Sequence, residues 1–243
     1  MPRLWRVLPR LILAMLICCG VAGAQEVTVT ARATVAAAGK KGKARDARNA
    51  VIWLTPTEGT VLPPAASSSA PRPRLTQKNK SFQPHVLVVR VGSLVEFPNR
   101  DPFFHNVFSL FEGKRFDLGL YEAGSTREVQ FDKPGVSYIF CNIHAEMSAV
   151  VIAVNTPYYA VSDSRGELVI PKVIPGHYAL HVWYDGIQQD ALNAMTRTIT
   201  VSEGASTLGL LRLPASSPVP PHKNMYGKDY TPPAPGSPTY EHP

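Results

Sequence analysis

From Val27 to Val35 the chain alternates apolar and polar residues without a break, the period-two pattern of a half-buried strand. The next apolar run, Ala50-Val51-Ile52-Trp53-Leu54, has no alternation and predicts a strand covered on both faces. Val86–Val91 and Leu94–Phe97 are strands on either side of a Gly92-Ser93 turn, and Pro98 stops the second. Arg127–Phe131 alternates again; Lys133-Pro134-Gly135 turns the chain into Val136–Phe140, and Ser148–Val154 follows as a further strand. Beyond Asn155 come short strands at 158–161, 167–170, 178–184, 198–201 and 208–213, separated by turn clusters such as Asp163-Ser164-Arg165-Gly166 and Pro175-Gly176-His177. Residues 188–195 are the one helical candidate. The stretch around His105 has no period and reads as an aromatic loop, with Phe103, Phe104, Phe108 and Phe111. The prediction is an all-β fold of sandwiches or barrels.

Where periodicity fails, composition takes over. Residues 1–24 have a basic start (Arg3, Arg6, Arg10), an apolar run from Leu11 to Cys19 and a small-residue Ala22-Gly23-Ala24 end, the pattern of a cleaved export signal. That run is shorter than the roughly 20 residues of a membrane span. The expectation is a periplasmic or secreted protein with no stable membrane span after cleavage. Cleavage would lower the formal charge from +7 to +4, so the sequence offers little basis for nucleic-acid binding. Residues 59–75 are rich in Pro, Ala and Ser and read as a linker, 39–45 as a solvated basic loop. The tail, 214–243, has nine prolines in thirty residues and is expected to be disordered.

The signal also holds two of the three cysteines, which leaves Cys141 alone in the exported chain. A single thiol in an oxidising compartment has no disulfide partner, and a metal bond would protect it. Cys141-Asn142-Ile143-His144-Ala145-Glu146-Met147 puts a thiolate, an imidazole and a thioether at i, i+3 and i+6, directly after a strand. With a second imidazole, for which His105 is the leading candidate, this is the ligand set of a mononuclear copper electron-transfer site. Each residue alone has an ordinary reading: a surface histidine, a core methionine, an inert buried cysteine. Zinc accepts Cys and His but has no need of the methionine. A Cys–His hydrolase pair is conceivable, but the spacing on one turn suits a metal better. His85, His177 and His181 fit turns or packed strand positions, and His222 and His242 lie in the tail, where a structural role is not expected. No phosphate loop, nucleophile elbow or paired carboxylates appear, so no enzymatic activity is expected.

The residues 91–101 (Val-Gly-Ser-Leu-Val-Glu-Phe-Pro-Asn-Arg-Asp), His105-Asn106-Val107 and Cys141-x-x-His144-x-x-Met147 resemble the cupredoxin family, in particular its amicyanin and pseudoazurin type. The resemblance covers about residues 76–155. It implies a Greek-key sandwich with one copper ion (Cu+/Cu2+) at one end, held by His105, Cys141, His144 and Met147. It gives Asn106 a supporting role tying the His105 and Cys141 loops. Ala50–Leu54 and the segments 163–170 and 174–180 resemble a carboxypeptidase regulatory-like (transthyretin-like) β-sandwich. The resulting division is early strands at 25–58, the copper domain at 76–155 inserted into this second sandwich, and late strands at 156–213. The arrangement resembles bacterial methylamine-utilisation or plastocyanin-like proteins. It implies single-electron transfer between redox protein partners, through the His144 edge, with Ile143, Ala145 and Phe103/Phe104 as an apolar rim. The alternative is a non-redox Cu(I)-binding protein for delivery, storage or sensing, since thiolate and thioether both suit Cu(I).

Overall fold

Alternating runs and unbroken apolar runs take different places in the molecule, which was examined as a computed structural model. It describes residues 25–37, 43–57, 62, 71–110, 113–204, 206–217 and 221–230; the proposed signal, most of the linker and the last thirteen residues lie outside that set. In chain order, β1 (Val27–Val35), β2 (Arg45–Asp46) and β3 (Val51–Pro56) come first. The middle holds β4 (Thr76–Gln77), β5 (Phe82–Gln83), β6 (Val86–Arg90), β7 (Ser93–Pro98), β8 (His105–Ser109), β9 (Phe116–Tyr121), β10 (Thr126–Phe131), β11 (Gly135–Phe140) and β12 (Ser148–Val154). After them come β13 (Tyr159–Val161), β14 (Glu167–Val173), β15 (Gly176–Trp183), the short helix α1 (Gln189–Asn193), β16 (Arg197–Val201) and β17 (Thr207–Leu213). The fold is all-β. Among the described residues no helix is long and apolar enough to cross a membrane.

Four of the sheets enclose three apolar layers. An outer sheet, β14-β1-β17 with β2 on β1, faces the sheet β13-β3-β15-β16 across a core of Val29, Ala33, Ile52, Leu54, Leu168, Tyr178, Leu180 and their neighbours. The sheet β6-β12-β11-β8-β9 faces β10-β7 across a second core that includes Val95, Phe97, Phe131, Ile139, Cys141, Met147 and Val151. A third layer joins the two halves: Val51 and Trp183 from the β3/β15 sheet meet Val86, Val88, Val150, Ile152 and Val154 from β6 and β12. This explains the unbroken runs. Ala149, Val151 and Ala153 of β12 point into one core and Val150, Ile152 and Val154 into the other, so period-two alternation has nothing polar to display. The alternating β1 buries Val29, Ala31, Ala33 and Val35 and turns its other face outward.

Strands before and after the middle segment pair with each other. β1 runs antiparallel to β14 and parallel to β17, and β3 lies between β13 and β15. This pairing is what an inserted arrangement requires. Gly166, in the turn before β14, has φ +75° and a Cβ there would fall 2.2 Å from the Ala33 carbonyl oxygen, so only glycine lets that turn close on β1.

Three expectations need correction. The stretch around His105 is not a loop: residues 105–109 form β8, buried along its whole length. His105, Asn106 and Ser109 gave it a loop's composition because polar side chains are buried there too. The linker ends earlier than residue 75, since Leu75 is fully buried and its N–H donates to the Glu96 carbonyl at 2.9 Å. Finally, residues 221–230 of the proline-rich tail pack back against the Cys141 loop, as described below.

Candidate metal centre

Two adjacent strands bring the site together. β8 and β11 are neighbours, with Phe108 opposite Phe140, so His105 at the start of β8 lies beside the chain as it leaves β11 at Cys141. The loop to β12 is closed by Cys141 N–H donating to the Met147 carbonyl at 3.3 Å and Met147 N–H donating to that of His144 at 3.1 Å. Within this turn Cys141 and Met147 are fully buried and point into the same core, while His144 reaches partway to the surface.

Cys141 Sγ lies 3.7 Å from His105 Nδ1 and 3.6 Å from His144 Nδ1, and the three ligand atoms fall within 4.8 Å of one another. A nitrogen about 2.0–2.1 Å and a sulfur about 2.3 Å from one metal, spread by an ordinary coordination angle, stand about 3.6–3.8 Å apart. The separations fit a shared ion. The Met147 thioether belongs to the same buried cluster as Cys141.

Asp101 settles the tautomer of His105. Its Oδ2 lies 2.8 Å from His105 Nε2, and a carboxylate only accepts, so the ring proton is on Nε2 and the Nδ1 lone pair faces the sulfur. The Asp101 carboxylate in turn accepts the backbone N–H groups of Asn79 (2.5 Å) and Lys80 (3.0 Å). Burial acts to raise the Asp101 carboxyl, but the bond to His105 and these two amides outweigh it and hold it below the usual range. Burial lowers His105 against the pull of Asp101, so its neutral, ligating form is favoured; burial and then His105 lower His144. Burial pushes the Cys141 thiol up, opposed by the amides of Ile143, Asn106 and His144, which donate to the sulfur. Those three donors favour the thiolate that metal binding requires.

Asn106 therefore ties the two strands through its main chain. Its side chain turns the other way and donates to Asp117 Oδ1 on β9 at 2.7 Å, leaving its own Oδ1 buried without a partner. Phe103 packs its ring 5.2 Å from His105 and 5.6 Å from His144. Phe104 and Ile143 are exposed at 44% and 39%, and Ala145 is exposed as well. Of the other histidines, His181 stacks on Trp53, His177 meets Thr200 and His85 faces Asp185.

The sequence reading passed over two parts of the site. Asp101 ends the 91–101 motif that resembles cupredoxins, with no role of its own in that reading; its place four residues before His105 is the available signal. The second part is the tail. His222 stacks on Phe140 with ring centres 4.2 Å apart, and Tyr230 Oη donates to the Cys141 carbonyl at 2.5 Å. His222 thus has the structural role that its place in the tail argued against.

Comparison with solved structures finds matches to part of the chain. A purple cupredoxin from Nitrosopumilus maritimus matches at 22% identity over 34% of this chain and 99% of its own, with a TM-score of 0.31. A point mutant of amicyanin in the oxidised state matches at 19% over 34% of this chain and 82% of its own (TM-score 0.33). About a third of the chain is thus similar to each of these two proteins. A copper-containing nitrite reductase from Thermus scotoductus SA-01 matches at 26% over 38% of this chain and 25% of its own, with a TM-score of 0.34. Residues 148–208, from the start of β12 onward, match the family model described as polysaccharide lyase family 4, domain II. No curated protein matches the chain.

Proposed function

We propose that this protein is an exported carrier of single electrons, with one copper ion held by His105 Nδ1, Cys141 Sγ and His144 Nδ1 and by Met147 as a weak fourth ligand. The observation that carries the reading is the convergence of the two Nδ1 atoms on the Cys141 sulfur at 3.7 and 3.6 Å, with the His105 tautomer fixed by Asp101. Copper bound there supplies a one-electron couple. The chain's residues hold the ligands in one arrangement: the closed 141–147 turn, the Asp101–His105 bond and the three amides on the sulfur.

Burial favours a carrier over the alternative of copper delivery or storage. Cys141, His105 and Met147 are fully buried, so handing over the ion would mean opening the core, whereas an electron needs only the partly exposed His144 edge. Phe104, Ile143 and Ala145 beside that edge offer an apolar surface to a redox partner. The second sandwich supports the copper part and is assigned no catalysis. Loading the mature protein with Cu(II) tests the reading: the expected result is an intense visible thiolate-to-copper band that Cys141→Ser abolishes. Colourless binding of Cu(I) alone would refute it.

A further inference from the structure

The tail segment 221–230 makes three separate contacts with one short piece of chain. Tyr230 Oη donates to the Cys141 carbonyl at 2.5 Å. The Met225 N–H donates to Asn142 Oδ1 at 2.9 Å. The His222 ring lies over Phe140, 4.2 Å between centres and 24° from parallel. Three consecutive residues, 140, 141 and 142, are thus gripped by a segment more than eighty positions away in sequence.

The segment is also braced within itself. His222 Nδ1 lies 3.2 Å from both the Lys223 carbonyl and Tyr230 Oη. A carbonyl only accepts, so Nδ1 carries the proton and Tyr230 Oη can accept it while donating its own hydrogen to Cys141. Asn224 closes the turn between them, its Oδ1 accepting the N–H groups of Tyr226 and Lys228 at 3.0 Å each. A proline-rich stretch expected to be disordered has a specific local structure. Its outward contacts fall on Phe140, Cys141 and Asn142, the residues that set where the Cys141 side chain starts.

We infer that residues 221–230 form a strap that fixes the Cys141–Asn142 turn, with Tyr230 as a positioning residue for the metal ligand. The inference rests on the reading of Cys141 as a copper ligand. The Tyr230 hydroxyl directs the positive end of its dipole at the Cys141 carbonyl, which favours the less positive oxidation state of a nearby ion. The strap also covers the Phe140 side of the loop and leaves the His144 side open. Removing the hydroxyl should therefore stabilise Cu(II) relative to Cu(I) and loosen the ligand turn.

The test is Tyr230→Phe in the full-length mature chain, with His222→Ala as a second variant that touches neither Cys141 nor its neighbours' hydrogen bonds directly. Both are loaded with Cu(II) and examined by voltammetry and visible spectroscopy, and the metal-free forms by limited proteolysis of the tail. The expected result is a retained visible band and a potential lower than the parent's in both variants. A three- to tenfold change in relative Cu(II)/Cu(I) affinity corresponds to a fall of about 30–59 mV, at 59 mV per tenfold for one electron. Metal-free, both should be cut faster within 221–230. A parent-like potential in Tyr230→Phe, with colour intact, overturns the strap and leaves the carrier reading standing. A shift in Tyr230→Phe alone, with His222→Ala like the parent, reduces the effect to one hydroxyl and also overturns the strap. A parent protein without the band overturns the carrier reading, and the positioning role with it.

Discussion

Asp101→Asn is a sharp perturbation because the native carboxylate is fully used. Its two oxygens receive three N–H donors: His105 Nε2–H at 2.8 Å, Asn79 N–H at 2.5 Å and Lys80 N–H at 3.0 Å. An amide has one oxygen and brings two N–H groups of its own. If its oxygen takes the Oδ1 place and stays with the Asn79 amide, its NH2 faces both His105 Nε2 and the Lys80 N–H and draws the ring into the tautomer with the proton on Nδ1, the nitrogen that faces Cys141 Sγ. If the amide flips, its oxygen keeps both His105 and the Lys80 N–H, the His105 tautomer is unchanged, and only the Asn79 N–H faces an NH2 group. Either outcome leaves one partly buried backbone donor without an acceptor, at about 1–3 kcal/mol; the first also turns His105 Nδ1 from an acceptor into a donor. Loss of such an outer partner typically lowers metal affinity 10- to 100-fold, about 1.4–2.7 kcal/mol. Copper affinity by chelator competition, with urea unfolding of the metal-free protein, separates the two. The expected result is affinity down at least tenfold, with a metal-free stability loss of about 1–3 kcal/mol. If affinity stays within about twofold of the parent's and metal-free stability is also unchanged, neither outcome has occurred and the tautomer argument is wrong.

Met147→Leu should retain copper and the visible band, because the volume is nearly kept, but shift the reduction potential; an unchanged potential would show that the thioether is not a ligand. Ser162→Ala removes a buried hydroxyl that accepts the Ala50 N–H at 2.8 Å and donates to the Ala47 carbonyl, and should cost about 1–3 kcal/mol in urea unfolding. The His85 imidazole is raised above its ordinary 6.5, mainly by its bond to Asp185 and against the effect of burial. A raised folded-state value means that the contribution is fully present below pH 6.5 and is lost as pH rises through the folded value. The stability difference between the parent and His85→Ala should therefore shrink from pH 6 to pH 8; a difference that grows would contradict the assignment.

How legible the molecule was depended on whether a signal was local. β1 showed itself by alternation and β3 and β12 by unbroken apolar runs, since a strand's burial is written in its own residues. The Cys141–Met147 ligand turn could be read because its residues lie within seven positions. β8 could not: His105 reaches Asp101 and Asn106 reaches Asp117, and only the folded chain shows that such polar side chains lie buried along a strand. The tail was misread for a related reason. Proline content predicts poor packing, and it says nothing of a surface around Phe140 waiting for His222 and Tyr230.

The pairing of β3 with β13 has a consequence for the order of synthesis. Trp53 lies opposite Tyr159, 106 positions further along, and Thr30 opposite Thr207. Closing a flexible loop of that length costs about 4 kcal/mol by chain entropy alone. As the chain emerges from a ribosome, β1 and β3 must wait while everything between them and their partners is made. If the middle sheet folds first, it shortens the effective loop and delivers β13 to β3. The middle sheets would then be the template on which the sandwich built from the chain's two flanks is completed.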